Sequence, residues 1–151
     1  MTIYENVFDA EELAAGIAAW ASIESPSFDA AAVNRMMDVA ARTMAGLGAA
    51  VDRMPGSDGF GDVVRARFKW GEGPGILVLG HLDTVHLVGT LAETLAVTRD
   101  GDRLYGPGVL DMKGGMYVAV HAVEKLIASR GSLGLPVTFL FIPDEEVGSP
   151  S

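Results

Sequence analysis

The chain has 151 residues, 49% of them hydrophobic, with no cysteine and a formal net charge of -9 from 11 Lys and Arg against 20 Asp and Glu. That length suits one domain or part of one and can hide roughly 70% of the surface its unfolded form exposes, which argues against disorder. The acidic balance repels a phosphate backbone and argues against a nucleic-acid partner, and without thiolates any metal must be held by His and carboxylates.

Met1 through Glu12 is acidic where a secretory signal would be basic, and no apolar run of 18 residues follows. A soluble, cytoplasmic protein with no membrane partner is expected. Asp9 and Glu12 have the spacing of a reciprocal capping box, and Leu13, Ile17 and Trp20 recur at helical spacing in a first helix that stops near Ser25-Pro26. Val33, Met36, Met37, Ala40, Met44 and Leu47 form the stripe of a second helix, with Gly46 and Gly48 as stop signals. The methionines on it read as core packing.

The period then changes to two. Ala50 to Met54 and Asp62 to Trp70 read as strands, the second placing Val64, Ala66 and Phe68 opposite Arg65, Arg67 and Lys69. The apolar run Ile76 to Leu79 predicts a strand buried on both faces. Leu95 to Arg99, a turn at Asp100-Gly101, and Arg103 to Tyr105 predict a hairpin. After Gly114-Gly115 a helical stripe returns as Met116, Ala119, Val120, Val123 and Ile127, and Pro136 opens a last apolar strand from Val137 to Ile142. Two strands joined through a helix imply a right-handed crossover and an α/β sheet.

Ligands of open α/β sheets collect beyond the carboxyl ends of strands, and acidic or histidine-bearing clusters lie at such places. His81 and Asp83 follow the strand at 76 to 79, a spacing that lets the Asp83 carboxylate hold the imidazole N–H and fix which nitrogen meets a metal. A surface histidine beside an ordinary loop aspartate is the competing reading. Asp111 lies between the turn Gly106-Pro107-Gly108 and a helix entry, where it serves either as a helix cap or as a carboxylate bridging two cations. Glu145 and Glu146 follow Asp144 after the last strand. They are either a solvated loop or, with a metal, a base at Glu145 and a ligand at Glu146.

Other readings are weaker. The Gly106-Pro107-Gly108 turn starts like a dinucleotide fingerprint, but Asp111 occupies the third glycine position, where its charge opposes pyrophosphate. A mononucleotide-binding domain is therefore disfavoured. There is neither a phosphate-loop Gly-Lys-Ser/Thr nor a Gly-x-Ser-x-Gly elbow. His86 and His121 show no carboxylate at ligand-like spacing and read as structural or solvated.

Taken together, Gly80-His81-Leu82-Asp83-Thr84-Val85, Tyr105 through Gly115, and Asp144-Glu145-Glu146-Val147-Gly148-Ser149 resemble the zinc-dependent aminoacylase/carboxypeptidase family, most closely its glutamate carboxypeptidase branch. Acetylornithine deacetylase and succinyl-diaminopimelate desuccinylase are other members. The resemblance implies a zinc-exopeptidase-like α/β fold, with a mixed, largely parallel sheet flanked by helices and incomplete at its C-terminus.

It implies two Zn2+ (or Co2+), with His81 on one, Asp111 bridging and Glu146 on the other. Glu145 would be the general base and then acid, and Asp83 would orient His81. A cis peptide after Asp111 is also implied. The implied substrate is an N-acyl amino acid or peptide, cleaved at an amide bond beside a free carboxylate, and the full-length protein could be a homodimer. Residues 1–151 correspond to the N-terminal part of the family's catalytic domain. A further carboxylate ligand, a late histidine and the lid domain lie beyond them, so a fragment is expected, with partial or empty metal sites. The alternative is a non-catalytic fragment or interaction module that keeps the motifs without activity.

Overall fold

The computed structural model describes residues 8–151. Most of the acidic opening segment that argued against a secretory signal therefore lies outside the described residues. Helix α1, Ala10–Ala21, begins at Asp9, whose carboxylate accepts the N–H of Glu11 and Glu12 at 2.7 and 3.2 Å. The expected return bond from Glu12 is absent from this cap, because its carboxylate instead takes the Lys125 ammonium at 2.6 Å. The helix closes at Ser22, earlier than expected, leaving residues 22–29 as a connection. Helix α2, Ala30–Gly46, is capped by Asp29 and buries Val33, Met36, Met37, Ala40 and Met44, the stripe read from the sequence.

Strands β1, Ala50–Met54, and β2, Val63–Phe68, pair antiparallel. Then come β3, Ile76–His81; the short helix α3, Thr90–Glu93; the hairpin strands β4, Thr98–Asp100, and β5, Arg103–Tyr105; α4, Lys113–Arg130; and β6, Val137–Ile142. Glu145–Val147 forms a closing 3-10 turn. The hairpin starts at Thr98 rather than Leu95, because the N–H groups of Thr94 and Leu95 are still bonded to the Thr90 carbonyl at the end of α3. Its two-residue loop is Gly101-Asp102, one position later than expected.

The main sheet runs β1-β2-β6-β3, with β3 parallel to β6 and β2 antiparallel to both its neighbours. The α/β class holds; of the paired strands described, β3 and β6 run parallel, and an isolated parallel bridge joins Pro26 to Thr84. On one face Val64, Ala66, Phe68, Val137, Phe139 and Phe141 meet the methionine stripe of α2 and Met116, Val120 and Val123 of α4. Helix α1 packs on α4, with the Trp20 ring edge-on to Tyr117 and Phe141.

One expectation is overturned. The β3 run is not buried on both faces: Leu77 is 60% and Leu79 57% exposed, and Ile76 is exposed too. β3 is an edge strand, paired among the described residues with β6 alone, and the face carrying Leu77 and Leu79 lies opposite the one the helices cover. An apolar run reports hydrophobicity, not what lies against it.

The core faces set the stability. Phe139→Ala, at a fully buried position, is expected to cost about 3–5 kcal/mol in urea unfolding. Phe28→Ala, at a residue 80% exposed, is expected to stay within about 0.5 kcal/mol. Equal effects would contradict the one-sided core.

Candidate metal centre

Because β3 and β6 are adjacent and parallel, their carboxyl ends open on the same edge of the sheet. That edge carries His81, Leu82 and Asp83 from one strand and Asp144, Glu145 and Glu146 from the other. Asp111 arrives from the entry of α4. Close packing brings that helix in: a Cβ on Gly80 of β3 would fall 2.2 Å from Met116 Sδ of α4, and one on Gly114 would fall 2.1 Å from the Val109 carbonyl oxygen. Asp111 is not a helix cap. The N-cap of α4 is Met112, with no side-chain cap, and the Asp111–Met112 peptide is cis.

The His81 ring is buried, with Nε2 3.0 Å from Asp111 Oδ1 and 3.6 Å from Glu145 Oε2. Its Nδ1 lies 3.2 Å from the Asp83 carbonyl oxygen and 3.3 Å from Asp83 Oδ1. One ligand atom each from His81, Asp111 and Glu146 falls within 4.8 Å of the others. Glu145 and Glu146 stand on the 3-10 turn rather than in a loose loop. Two concavities flank Asp111. One is lined by Gly80, His81, Ile142 and Glu145, the other by Thr84, His86, Gly108 and Glu146.

Asp83 is fully buried, and every contact it makes organises this edge. Its Oδ2 accepts the Ser27 hydroxyl at 2.6 Å and the Glu146 N–H at 3.2 Å, while Oδ1 accepts the Glu145 N–H at 3.2 Å. Burial alone would raise the Asp83 carboxyl, but the bonds from His81, Ser27 and the Glu146 amide hold it below the usual carboxylate range. Burial likewise opposes charge on His81, yet its bonds to Asp83 and Asp111 win and raise it to about 9. Glu146 is pushed up, chiefly by burial and, despite the nearby His81, by the carboxylates of Asp111, Asp83 and Glu145.

Residues not singled out from the sequence brace the same edge. In the connection 22–29, Ser25 donates to the Leu82 carbonyl at 2.7 Å, and the Glu24 carboxylate accepts the N–H groups of Gly89 and Leu91. Lys113, fully buried, donates to the Ile23 carbonyl, and desolvation lowers its ammonium to about 8 against the pull of Asp83 and Glu24. Ser27 and Asp83 are 56 residues apart, so no local spacing signals the pair. Lys113, two residues after Asp111, was visible only as part of a helix entry. His121 corrects the sequence reading: Glu124, one helical turn on, puts Oε2 3.2 Å from its Nδ1.

The donor set fits a divalent cation: one imidazole of fixed orientation, with carboxylates converging from two other segments. Residues 77–151 match the family model "Peptidase family M20/M25/M40". Over those residues the chain belongs to this peptidase family. Among curated M20-family relatives, it is 40% identical over 90 residues to carboxypeptidase G2 of Pseudomonas sp. (strain RS-16), which covers 59% of this chain and 21% of that protein. It is 36% identical over 89 residues to a putative succinyl-diaminopimelate desuccinylase of Mycobacterium tuberculosis, covering 59% and 23%. Human carnosine dipeptidase 1 superposes with a TM-score of 0.78 at 28% identity, over 93% of this chain and 33% of that one. An M20 family metallo-carboxypeptidase from Sulfolobus solfataricus shares the fold, with a TM-score of 0.74 at 22% identity over 94% and 32%. The chain thus spans about a fifth of these curated relatives and a third of these solved structures.

Ser27→Ala removes a donor from a buried carboxylate and is expected to lower stability by about 1–3 kcal/mol, with Ser27→Thr retaining most of it. Urea unfolding followed by circular dichroism measures both, and a Ser27→Ala protein as stable as wild type would remove the hydroxyl from the brace.

Proposed function

We propose that this chain carries the metal-binding and catalytic residues of a metal-dependent hydrolase that cleaves an amide or peptide bond next to a free carboxylate. The observation that carries the reading is the convergence of His81, Asp111 and Glu146 within 4.8 Å, on an edge that also holds Glu145. The relatives named as a carboxypeptidase, a desuccinylase and a dipeptidase support the reaction class. Residues 1–151 would form the opening part of the catalytic domain.

In this reading His81, Asp111 and Glu146 would hold two Zn2+ (or Co2+). Divalent cations there would act as Lewis acids on the scissile carbonyl and acidify water. The chain's own residues supply the rest. Glu145, 57% exposed at its side chain, is free to reach the attacking water, take its proton and pass it to the leaving amine. Asp83 keeps the Nδ1 side of His81 engaged, which leaves Nε2 turned to Asp111. The half-buried His86 and the exposed Leu110 border the concavity beside Glu146, where the rest of the substrate would lie. A cytoplasmic setting is part of the proposal; among the described residues no helix is long and apolar enough to cross a membrane.

A second reading has its own observation. The exposed Leu77 and Leu79 on edge strand β3 suit a chain that holds metal and associates through this face without turnover. Sedimentation velocity and an amidase assay on the same metal-loaded preparation separate the two readings.

With zinc or cobalt supplied, hydrolysis of N-acyl amino acids and dipeptides is expected. Glu145→Gln is expected to lower kcat by roughly 10²–10⁴-fold while metal content by mass spectrometry stays unchanged. Wild-type turnover in that variant would take Glu145 out of the mechanism. Zinc binding with no hydrolysis across the panel would favour the second reading.

A further inference from the structure

A second cluster of metal-ligating side chains lies where α1 meets α4. His121 and Glu124 share a face of α4 one turn apart, and Glu12 comes from the first turn of α1. The helices meet closely enough that a Cβ on Gly16 of α1 would fall 1.9 Å from Tyr117 Cζ of α4. At 1.5 Å rise per residue, His121 stands about 12 Å along α4 from Lys113 at the first site.

His121 is held rigidly. Its ring is 1% exposed, lies nearly parallel to Tyr117 with centroids 6.1 Å apart, and is flanked by Phe8 at 6.2 Å. Glu124 Oε2 lies 3.2 Å from Nδ1, and Nε2 is the ring's other possible ligand atom. That Nε2 is buried without a hydrogen-bond partner among the described residues, and Glu12 Oε2 stands 3.8 Å from it. Zinc bonds to nitrogen and to carboxylate oxygen are each about 2.0–2.2 Å. One ion with a bent N–metal–O angle therefore spans the gap.

We propose that Glu12, His121 and Glu124 form a second divalent-cation site of the zinc class, separate from the His81 cluster, which staples α1 to α4. One ligand atom from each of the three lies within 4.8 Å of the others. The imidazole is fixed by burial, while the two carboxylates are half exposed, and each would turn from its present partner, Lys125 or His121, to close on the ion. An imidazole with carboxylates suits zinc better than magnesium or calcium. The resident counter-charge is the Lys125 ammonium, 2.6 Å from Glu12 Oε2, so an entering cation must displace it. This makes Lys125 a built-in competitor.

The test is zinc titration of the 151-residue chain carrying His81→Ala, which removes the first site's imidazole. One equivalent of zinc is expected to bind there and to raise Tm. Adding Glu12→Gln and Glu124→Gln, both at solvent-facing positions, is expected to weaken that binding by roughly tenfold or more and to abolish the Tm shift. Lys125→Met is expected to tighten it by roughly tenfold. If His81→Ala disturbs folding, the His121 Nε2 resonance in 15N NMR of the otherwise unaltered chain reads the same event, moving on addition of the zinc equivalent that Glu12→Gln and Glu124→Gln remove. Zinc affinity and Tm shift unchanged by the two glutamine substitutions would mean an adventitious ion only and would overturn the proposal. So would the absence of any bound zinc in the folded His81→Ala chain.

Discussion

A buried carboxylate must have its oxygens bonded or it destabilises the fold that buries it, and Asp83 meets that requirement by joining three segments distant in the chain. Its oxygens engage Ser27 from the α1–α2 connection, His81 at the end of β3, and the N–H groups of Glu145 and Glu146 after β6. One side chain thereby fixes the orientation of the imidazole and the height of the 3-10 turn carrying two of the acids. The connection that supplies Ser27 is itself tied down. Lys113 holds the Ile23 carbonyl, Ser25 holds the Leu82 carbonyl, and Glu24 holds the start of α3. The site edge is therefore positioned from below by a segment with no regular secondary structure.

What the sequence disclosed follows from how local each signal is. The stripe of α2 and the alternation of β2 are visible because each element buries one face, so hydrophobicity and geometry share a period. β1 and β6 also have the bounds their patterns suggest. The motifs around His81, Asp111 and Glu146 were legible because each follows an element whose end could be placed. Long-range partners were not legible: Glu12 meets Lys125 113 positions away, and Ser27 meets Asp83 across 56. The apolar run of β3 misled because burial depends on neighbours that the run does not encode. The His121–Glu124 pair is different in kind. It was within reach once α4 had been read as a helix, since residues three apart on a helix share a face.

The distribution of charge separates the acids at this edge from those elsewhere on the chain. Away from it, several acids meet basic side chains: Glu11 pairs with Arg99, Asp52 with Arg65, Asp38 and Asp62 with Arg53, and Glu12 with Lys125. At the edge, Asp83, Asp111 and Glu145 all lie against one imidazole, His81, while the buried ammonium of Lys113 is spent on a backbone carbonyl. The upward shift of Glu146 comes first from burial, and Asp111, Asp83 and Glu145 add to it against the pull of His81. A purely structural acidic turn would be stabilised more simply by an arginine, which offers a rigid fork of donors to carboxylates.

The arrangement also grades exposure in the order the proposed chemistry requires. His81 and Asp83 are buried and bonded on several sides, so the imidazole's direction is set before anything binds. Asp111 and Glu145 have side chains 71% and 57% exposed, and Glu146 is half-buried. A group that moves a proton between two positions needs rotational freedom, whereas a group that defines a ligand axis needs none. A buried nitrogen beneath exposed oxygens is the order found here. At the α1–α4 junction the same order recurs, with a buried ring whose Nε2 faces a half-exposed carboxylate. Both clusters therefore draw their fixed donor from the packed interior and their adjustable donors from the solvent side. Burial of the imidazole, more than the number of acids around it, distinguishes each from an ordinary acidic patch.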